Sequence, residues 1–152
     1  MHRPLSIVAV IAFVAMSPGC DQGPKSAKGF RLPDGDIAKG KAVFIALKCN
    51  TCHKVTGVDL PAPSGQAEVV VTLGGEVHRV RTYGELVTAI INPSHTLAVG
   101  YPKEEVARDG VSKMTNFNES MTVSQLIDLV AFLQSRYKEV HPQWSDDTFM
   151  GP

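Results

Sequence analysis

The chain has 152 residues and carries 15 basic and 15 acidic side chains, so its formal net charge is zero with histidine neutral. This length is enough for one globular domain with a core and short for two. The balanced charge gives no support for a nucleic-acid-binding protein or for a polybasic protein bound to a membrane surface. The class of partner therefore has to come from the motifs.

The N-terminus has the pattern of an export signal. His2 and Arg3 make a weakly basic start, and residues 5–16 form an apolar run that only Ser6 interrupts. Such a run is the length of a signal-peptide core and too short to span a bilayer as a helix. We therefore predict a signal peptide over residues 1–19.

Cys20 follows a helix break made by Pro18 and Gly19, and a small residue before a cysteine resembles the cleavage site of bacterial lipoprotein signal peptides. Ser17 departs from that pattern, because an aliphatic residue usually stands there, so cleavage by an ordinary signal peptidase nearby is the alternative. A lipidated Cys20 would carry several acyl chains and anchor the protein stably. In enterobacterial lipoproteins an acidic residue at the position of Asp21 favours the inner membrane. We expect a lipid-anchored protein on the periplasmic side of the bacterial inner membrane.

The first helix is predicted after a stretch rich in Gly, Pro and Lys. Residues 20–35 read as the anchor followed by a flexible tether. Asp34 or Asp36 can cap a helix that runs through Lys48 and delivers the chain to Cys49. The apolar positions that share one face of this helix are Ile37, Gly40, Val43, Phe44 and Leu47.

The middle of the chain predicts a β-hairpin. An irregular loop over residues 54–66 is followed by two runs with β-branched residues, 68–73 and 76–81. Gly74 and Gly75 join the two runs, and a Gly-Gly pair between strands is a hairpin signal.

Two later helices begin with the same capping-box pattern. Thr82 with Glu85 opens a short amphipathic helix, and Thr122 with Gln125 opens the last helix. Residues 94–120 between them are predicted to be mostly loop. We expect the first of these helices to end at Ile91, where Asn92-Pro93 stops it, and the last to run through about Tyr137.

The pentapeptide CNTCH at residues 49–53 has the C-x-x-C-H spacing of covalent haem attachment. Thiols at Cys49 and Cys52 reach two positions on one porphyrin edge, and the adjacent His53 supplies an axial iron ligand. Assigning Cys20 to lipid then leaves no free thiol. The alternative, a disulfide between the other two cysteines in a thioredoxin-like site, lacks the βαβ context. One motif without repeats predicts one covalent haem c.

Together these features resemble the class I monohaem cytochrome c family. The family places Gly-Lys-x-x-Phe in the helix before the haem motif, matched here by Gly40, Lys41 and Phe44. It crosses that Gly against an aromatic of the last helix, a role that Phe132 fits, and residues 112–117 resemble its methionine-ligand loop. The resemblance implies a mainly α fold, with three or more helices around one covalently bound haem, to which this chain would add the inserted β-hairpin.

The resemblance also implies a domain organisation. We expect a cytochrome c domain over residues 36–138, with an insertion at about 57–109, and a C-terminal tail over 139–152. The family often has a Gly-Pro pair soon after the haem motif, whose backbone carbonyl orients the histidine. In this chain only Pro61 or Pro63 is available for that role.

Met114 is the candidate for the second axial ligand. A thioether is a soft donor suited to haem iron, and it raises the reduction potential relative to two imidazoles. Met114 lies in a loop, whereas a core methionine would lie on an apolar helix face. Met121, at the start of the last helix, is the nearest rival, and His95 would give a bis-histidine haem. His78 and His141 are weaker candidates.

A haem sealed by His53 and Met114 has no open iron position, so the leading hypothesis is a single-electron carrier rather than an enzyme. Its partners would be redox proteins of a membrane-associated electron-transfer chain. One alternative is a five-coordinate haem enzyme or gas sensor, which requires that Met114 does not ligate. The other is a haem-bearing docking subunit of a respiratory or dehydrogenase complex, which the insertion would serve.

Overall fold

The computed structural model describes residues 30–63 and 65–140. All helices and strands of the described residues lie within the unit that begins at Pro33. In chain order they are α1 (Ile37–Ala46), a 3₁₀ turn (Cys49–Thr51), β1 (His53–Val55), β2 (Val71–Leu73), β3 (Gly75–Val77), α2 (Tyr83–Ile91), α3 (Lys103–Val106), β4 (Ala107–Arg108), β5 (Val111–Ser112), α4 (Val123–Gln134) and β6 (Tyr137–Glu139).

The predicted signal peptide, Cys20, most of the tether and the end of the tail lie outside the described residues. Within the described part of the chain, no helix combines the length and the apolar character needed to cross a membrane.

The predicted helix starts are confirmed by their caps. Asp36 caps α1 by accepting hydrogen bonds from the N–H groups of Ala38 at 2.8 Å and Lys39 at 3.0 Å. The hydrogen bond from Lys39 is the main cause that lowers the pKa of the Asp36 carboxyl. Both α2 and α4 begin with complete capping boxes, through Thr82 and Thr122. Each box satisfies backbone donors that a helix start leaves unpaired.

The last helix ends earlier than the sequence pattern suggests. Its apolar face is buried as predicted, but α4 stops at Gln134 because Tyr137 to Glu139 pairs with another strand instead of continuing the helix. The buried residues of this face are Leu126, Leu129, Val130, Phe132 and Leu133.

The core is built where α1 crosses α4. Phe44 and Phe132, 1% and 2% exposed, meet edge to face with ring centroids 5.7 Å apart, and burial of each ring contributes roughly 1.5–3 kcal/mol. Gly40 permits the close approach, because a Cβ there would overlap the Asp128 carbonyl oxygen and lie 2.6 Å from Phe132 Cβ. The Asp128 side chain also accepts from the Asp36 N–H at 2.8 Å. The predicted Gly40–Phe132 crossing is thereby confirmed.

The predicted hairpin across Gly74 and Gly75 is wrong. The strands on either side do not pair with each other: β2 runs parallel to β1, and β3 runs parallel to β6. Both glycines have positive φ, 78° and 91°, but they turn the chain from one partner strand to the next instead of reversing it. A Gly-Gly pair supplies the required backbone freedom in either case, so local sequence does not distinguish the two.

An antiparallel hairpin is found elsewhere, between β4 and β5. Its two-residue turn is Asp109-Gly110, with φ of 52° and 80°, the left-handed pair that a type I′ turn needs. The sequence pattern there predicts mostly loop, and two-residue strands are too short to show alternation. This hairpin leads directly into the loop that contains Met114.

Replacement of Gly40 by alanine is expected to lower the free energy of unfolding by about 1–3 kcal/mol, because the added methyl group has to force α1 and α4 apart. Gly84→Ala is the matched control. Gly84 also lies in a helix, but no atom of the described residues lies within 4 Å of an added Cβ, so alanine there should stabilise by about 0.5–1 kcal/mol. Denaturant unfolding of the holoprotein followed by circular dichroism measures both. Equal stability of the two variants would contradict the close crossing.

Candidate haem site

The two cysteines of the motif lie one tight turn apart. Lys48, in the left-handed region with φ 57°, ends the run of α1, and residues 49–51 then form a single 3₁₀ turn in which the Cys52 N–H donates to the Cys49 carbonyl at 3.2 Å. Both thiols are free, so the disulfide alternative finds no support. Burial, reinforced by the charge of Cys52, raises the pKa of the Cys49 thiol to about 11. A thioether at this half-buried position has no proton to lose and avoids the cost of a buried thiolate.

His53 begins β1, and its imidazole is oriented by a backbone carbonyl. Nδ1 lies 3.3 Å from the carbonyl oxygen of Val71, and since a carbonyl can only accept, the Nδ1–H is the donor. Burial lowers the pKa of His53, while the bond to Val71 opposes that shift. The ring is therefore favoured in its neutral form, with the Nε2 lone pair free for a metal ion.

The carbonyl that orients His53 is not the one expected from the sequence. The Pro61 carbonyl instead accepts from Asn50 Nδ2 at 3.1 Å, which ties the loop to the turn between the cysteines. Val71 comes 18 residues after the histidine and reaches it only because β2 lies beside β1. A backbone acceptor leaves no side-chain signature, so no motif in the sequence indicates it.

One stretch of chain, residues 71–77, links the haem motif to the end of the last helix. On the β1 side, the Val71 N–H donates to the Cys52 carbonyl and the Thr56 N–H donates to the Leu73 carbonyl, each at 2.9 Å. On the β6 side, the Gly75 N–H donates to the Arg136 carbonyl, also at 2.9 Å. We call residues 71–77 the bridging strand. It fixes the position of Val71 against two separate parts of the fold.

Three hydrogen bonds donated by backbone N–H groups hold the chain as it approaches Met114. The Lys113 N–H donates to the Val106 carbonyl at 2.9 Å, the Ser112 N–H to Ser94 Oγ at 3.1 Å, and the Met114 N–H to Ser112 Oγ at 3.2 Å. The Met114 side chain is half-buried. Its ligation of the iron stays a prediction.

The other ligand candidates have different surroundings. Met121 is half-buried directly before the cap of α4, and its N–H donates to the Phe117 carbonyl at 2.8 Å. His78 and His95 are both exposed to solvent, and His141 lies outside the described residues. Exposure is the usual environment of a histidine that binds nothing.

Tyr83 stands out among the remaining polar side chains. Its hydroxyl is buried and has no hydrogen-bond partner in the described part of the chain. Burial, followed by the negative charge of Asp34, raises its pKa. The hydroxyl therefore stays protonated near neutral pH.

A covalently attached haem requires two free thiols one turn apart and an imidazole held with Nε2 free, and this site provides that set of donors. The family model for cytochrome c matches residues 37–136. No curated protein and no solved structure matches the chain. The chain belongs to the cytochrome c family, with haem c as its covalent cofactor and electron transfer as the activity typical of the family.

Replacement of Gly74 by alanine is expected to destabilise the protein more than the same change at Gly57. Both glycines have positive φ, 78° and 69°, so alanine pays the left-handed penalty of roughly 1–2 kcal/mol at either position. At Gly74 the new Cβ also lies 2.8 Å from Arg136 Cβ, whereas at Gly57 nothing in the part of the chain that the structure describes lies within 4 Å. The extra loss at Gly74 should be about 1–3 kcal/mol.

Denaturant unfolding of the two holoproteins measures this difference. If Gly74→Ala and Gly57→Ala lose the same stability, the bridging strand does not pack tightly against the end of α4.

Proposed function

We propose that this protein is a single-electron carrier whose haem iron is held between His53 Nε2 and Met114 Sδ. The observation that carries the proposal is the hydrogen bond from His53 Nδ1 to the Val71 carbonyl, at 3.3 Å. It selects the tautomer that leaves Nε2 to ligate, and it limits rotation of the ring. When bound, the haem supplies a one-electron iron couple.

The support for Met114 comes from the way its loop is held. Hydrogen bonds from residues 112–114 to Val106, Ser94 and Ser112 restrict the backbone that leads into the methionine. A ligand on a restrained loop loses little conformational freedom when it binds, and it keeps its position when the iron changes charge. Both properties suit an electron carrier, which works best when its ligands move little between oxidation states.

A lysine on the same loop forms a contact with the segment before the bridging strand. Lys113 Nζ lies 2.6 Å from Glu68 Oε2, and this pairing lowers the pKa of the Glu68 carboxyl. Glu68 is exposed, so water screens the pair and its contribution to stability is small. Its value to the proposal is geometric, because it joins the methionine loop to the segment that leads into β2.

Leucine at position 114 is expected to open the sixth coordination position while preserving side-chain volume. The wild-type ferric protein should show the weak far-red absorption band typical of methionine-ligated haem c, and the ferrous protein should not bind carbon monoxide. Met114→Leu should lose the band and bind carbon monoxide. Absorption spectra of the oxidised, reduced and carbon monoxide-treated proteins measure this.

Met121→Leu is the matched control, since Met121 is also half-buried and lies seven positions later in the chain. It should keep the band and stay closed to carbon monoxide. If Met121→Leu loses the band instead, Met121 is the ligand. If wild type itself lacks the band and binds carbon monoxide, the iron has an open site and the protein is a five-coordinate haem enzyme or sensor.

We further propose that Cys20 is lipidated and that residues 21–35 tether the domain to the periplasmic side of the inner membrane. The proposal rests on the apolar run followed by Gly19-Cys20 in the sequence. A tether of this kind confines electron exchange to redox partners at the same membrane. Copurification with a larger respiratory or dehydrogenase complex would identify the protein as a subunit of that complex.

Cys20→Ala is expected to release the holoprotein from the membrane fraction without changing its haem spectrum. Ser17→Leu is the informative companion, because it restores the aliphatic residue usual at that position of lipoprotein signals. Fractionation and mass spectrometry of the mature N-terminus measure both. A wild-type protein that is already soluble, next to a membrane-bound Ser17→Leu variant, would show that the natural chain is cleaved by ordinary signal peptidase.

A further inference from the structure

We propose that Tyr101 is a positioning residue for His53: its hydroxyl fixes β2 from the side opposite β1 and so holds the Val71 carbonyl against the imidazole. The inference rests on the proposed ligation of the iron by His53. A residue outside the haem motif would then influence the properties of the haem iron.

Tyr101 forms a hydrogen bond with the middle residue of β2. The Thr72 N–H donates to the Tyr101 hydroxyl at 3.0 Å. Successive peptide groups of a strand point to opposite sides, so when Val71 and Leu73 bond to β1, the N–H of Thr72 points away from it. Tyr101 occupies the side of β2 on which no other strand lies among the described residues. Without it, this three-residue strand is held on one edge only.

Tyr101 is itself restrained. It is half-buried and directly precedes Pro102, the residue that opens α3, and a residue before proline is restricted to extended conformations. The helix then runs into buried Val106 and Ala107. The hydroxyl is therefore presented to β2 from a segment whose own position is set by the core.

The same segment leads to the second proposed ligand. The Val106 carbonyl, at the end of α3, accepts from the N–H of Lys113, the residue before Met114. The bond between Thr72 and Tyr101 thus connects the strand that orients His53 to the segment that holds the methionine loop. Loss of this bond would affect His53 directly, through the adjacent Val71 carbonyl.

The expected consequence concerns the electron-donor strength of the imidazole. An imidazole whose Nδ1–H is donated to a carbonyl is a more basic metal ligand, and a more basic ligand favours the ferric state. If β2 loosens, the Nδ1–H bond weakens and the reduction potential rises. The orientation of the imidazole plane over the haem becomes less restricted as well.

Tyr101→Phe is the test, because it removes the hydroxyl and keeps the ring. Tyr137→Phe is the matched control: Tyr137 lies in β6, which pairs with β3 and not with β2. Paramagnetic NMR of the ferric holoproteins reads the haem-methyl shift pattern, which reports the orientation of the axial imidazole. The same spectra give the solvent exchange rate of the His53 Nδ1–H, and a redox titration gives the potential.

We expect Tyr101→Phe to raise the potential, alter the methyl shift pattern and speed Nδ1–H exchange about 3- to 10-fold, the factor that corresponds to loss of one net hydrogen bond. Tyr137→Phe should leave all three unchanged. If Tyr101→Phe matches wild type in these readouts while the wild-type His53 ring is clearly hyperfine-shifted, only the positioning role fails. If the wild-type ring shows no hyperfine shift, His53 is not a ligand, and the proposed ligation fails together with this inference.

Discussion

The hydrogen bond between His53 Nδ1 and the Val71 carbonyl is the interaction on which the site depends. The ring of a histidine next to an attachment cysteine can rotate, and either of its two nitrogens can carry the proton. The carbonyl removes both freedoms, because it accepts only from a protonated Nδ1 and only along one direction. The bridging strand supplies this acceptor.

The bridging strand also joins parts of the molecule that the helices leave apart. Packing of α1 on α4 builds the core and depends on the absence of a side chain at Gly40. The haem motif follows α1, and β6 follows α4, so each end of the bridging strand pairs with the segment that leaves one of these helices. Motion of one helix relative to the other would pull on the strand that holds Val71. The orientation of His53 is thus coupled to the crossing of α1 and α4.

Much of the fold could be predicted because its signals are local. Capping boxes at Thr82 and Thr122 fix helix starts within four residues of sequence, and C-x-x-C-H states the haem chemistry within five. Gly74-Gly75 failed as a hairpin signal, since positive φ at two glycines permits a reversal or a change of partner equally well. Proximity along the chain likewise favours the nearby prolines as the source of the orienting carbonyl, whereas the carbonyl that contacts His53 belongs to Val71.

Short segments of the sequence predict the cofactor, the family to which the chain belongs and the helices that form its core, because thiol spacing, capping residues and apolar periodicity are local properties. The tertiary structure sets which carbonyl orients His53, which strand lies beside β1, which strand lies beside β3, and the contact of Tyr101 with β2. These contacts join residues 18 to 62 positions apart. Backbone groups are chemically alike at every position, so which of them meet is settled by packing of the whole domain.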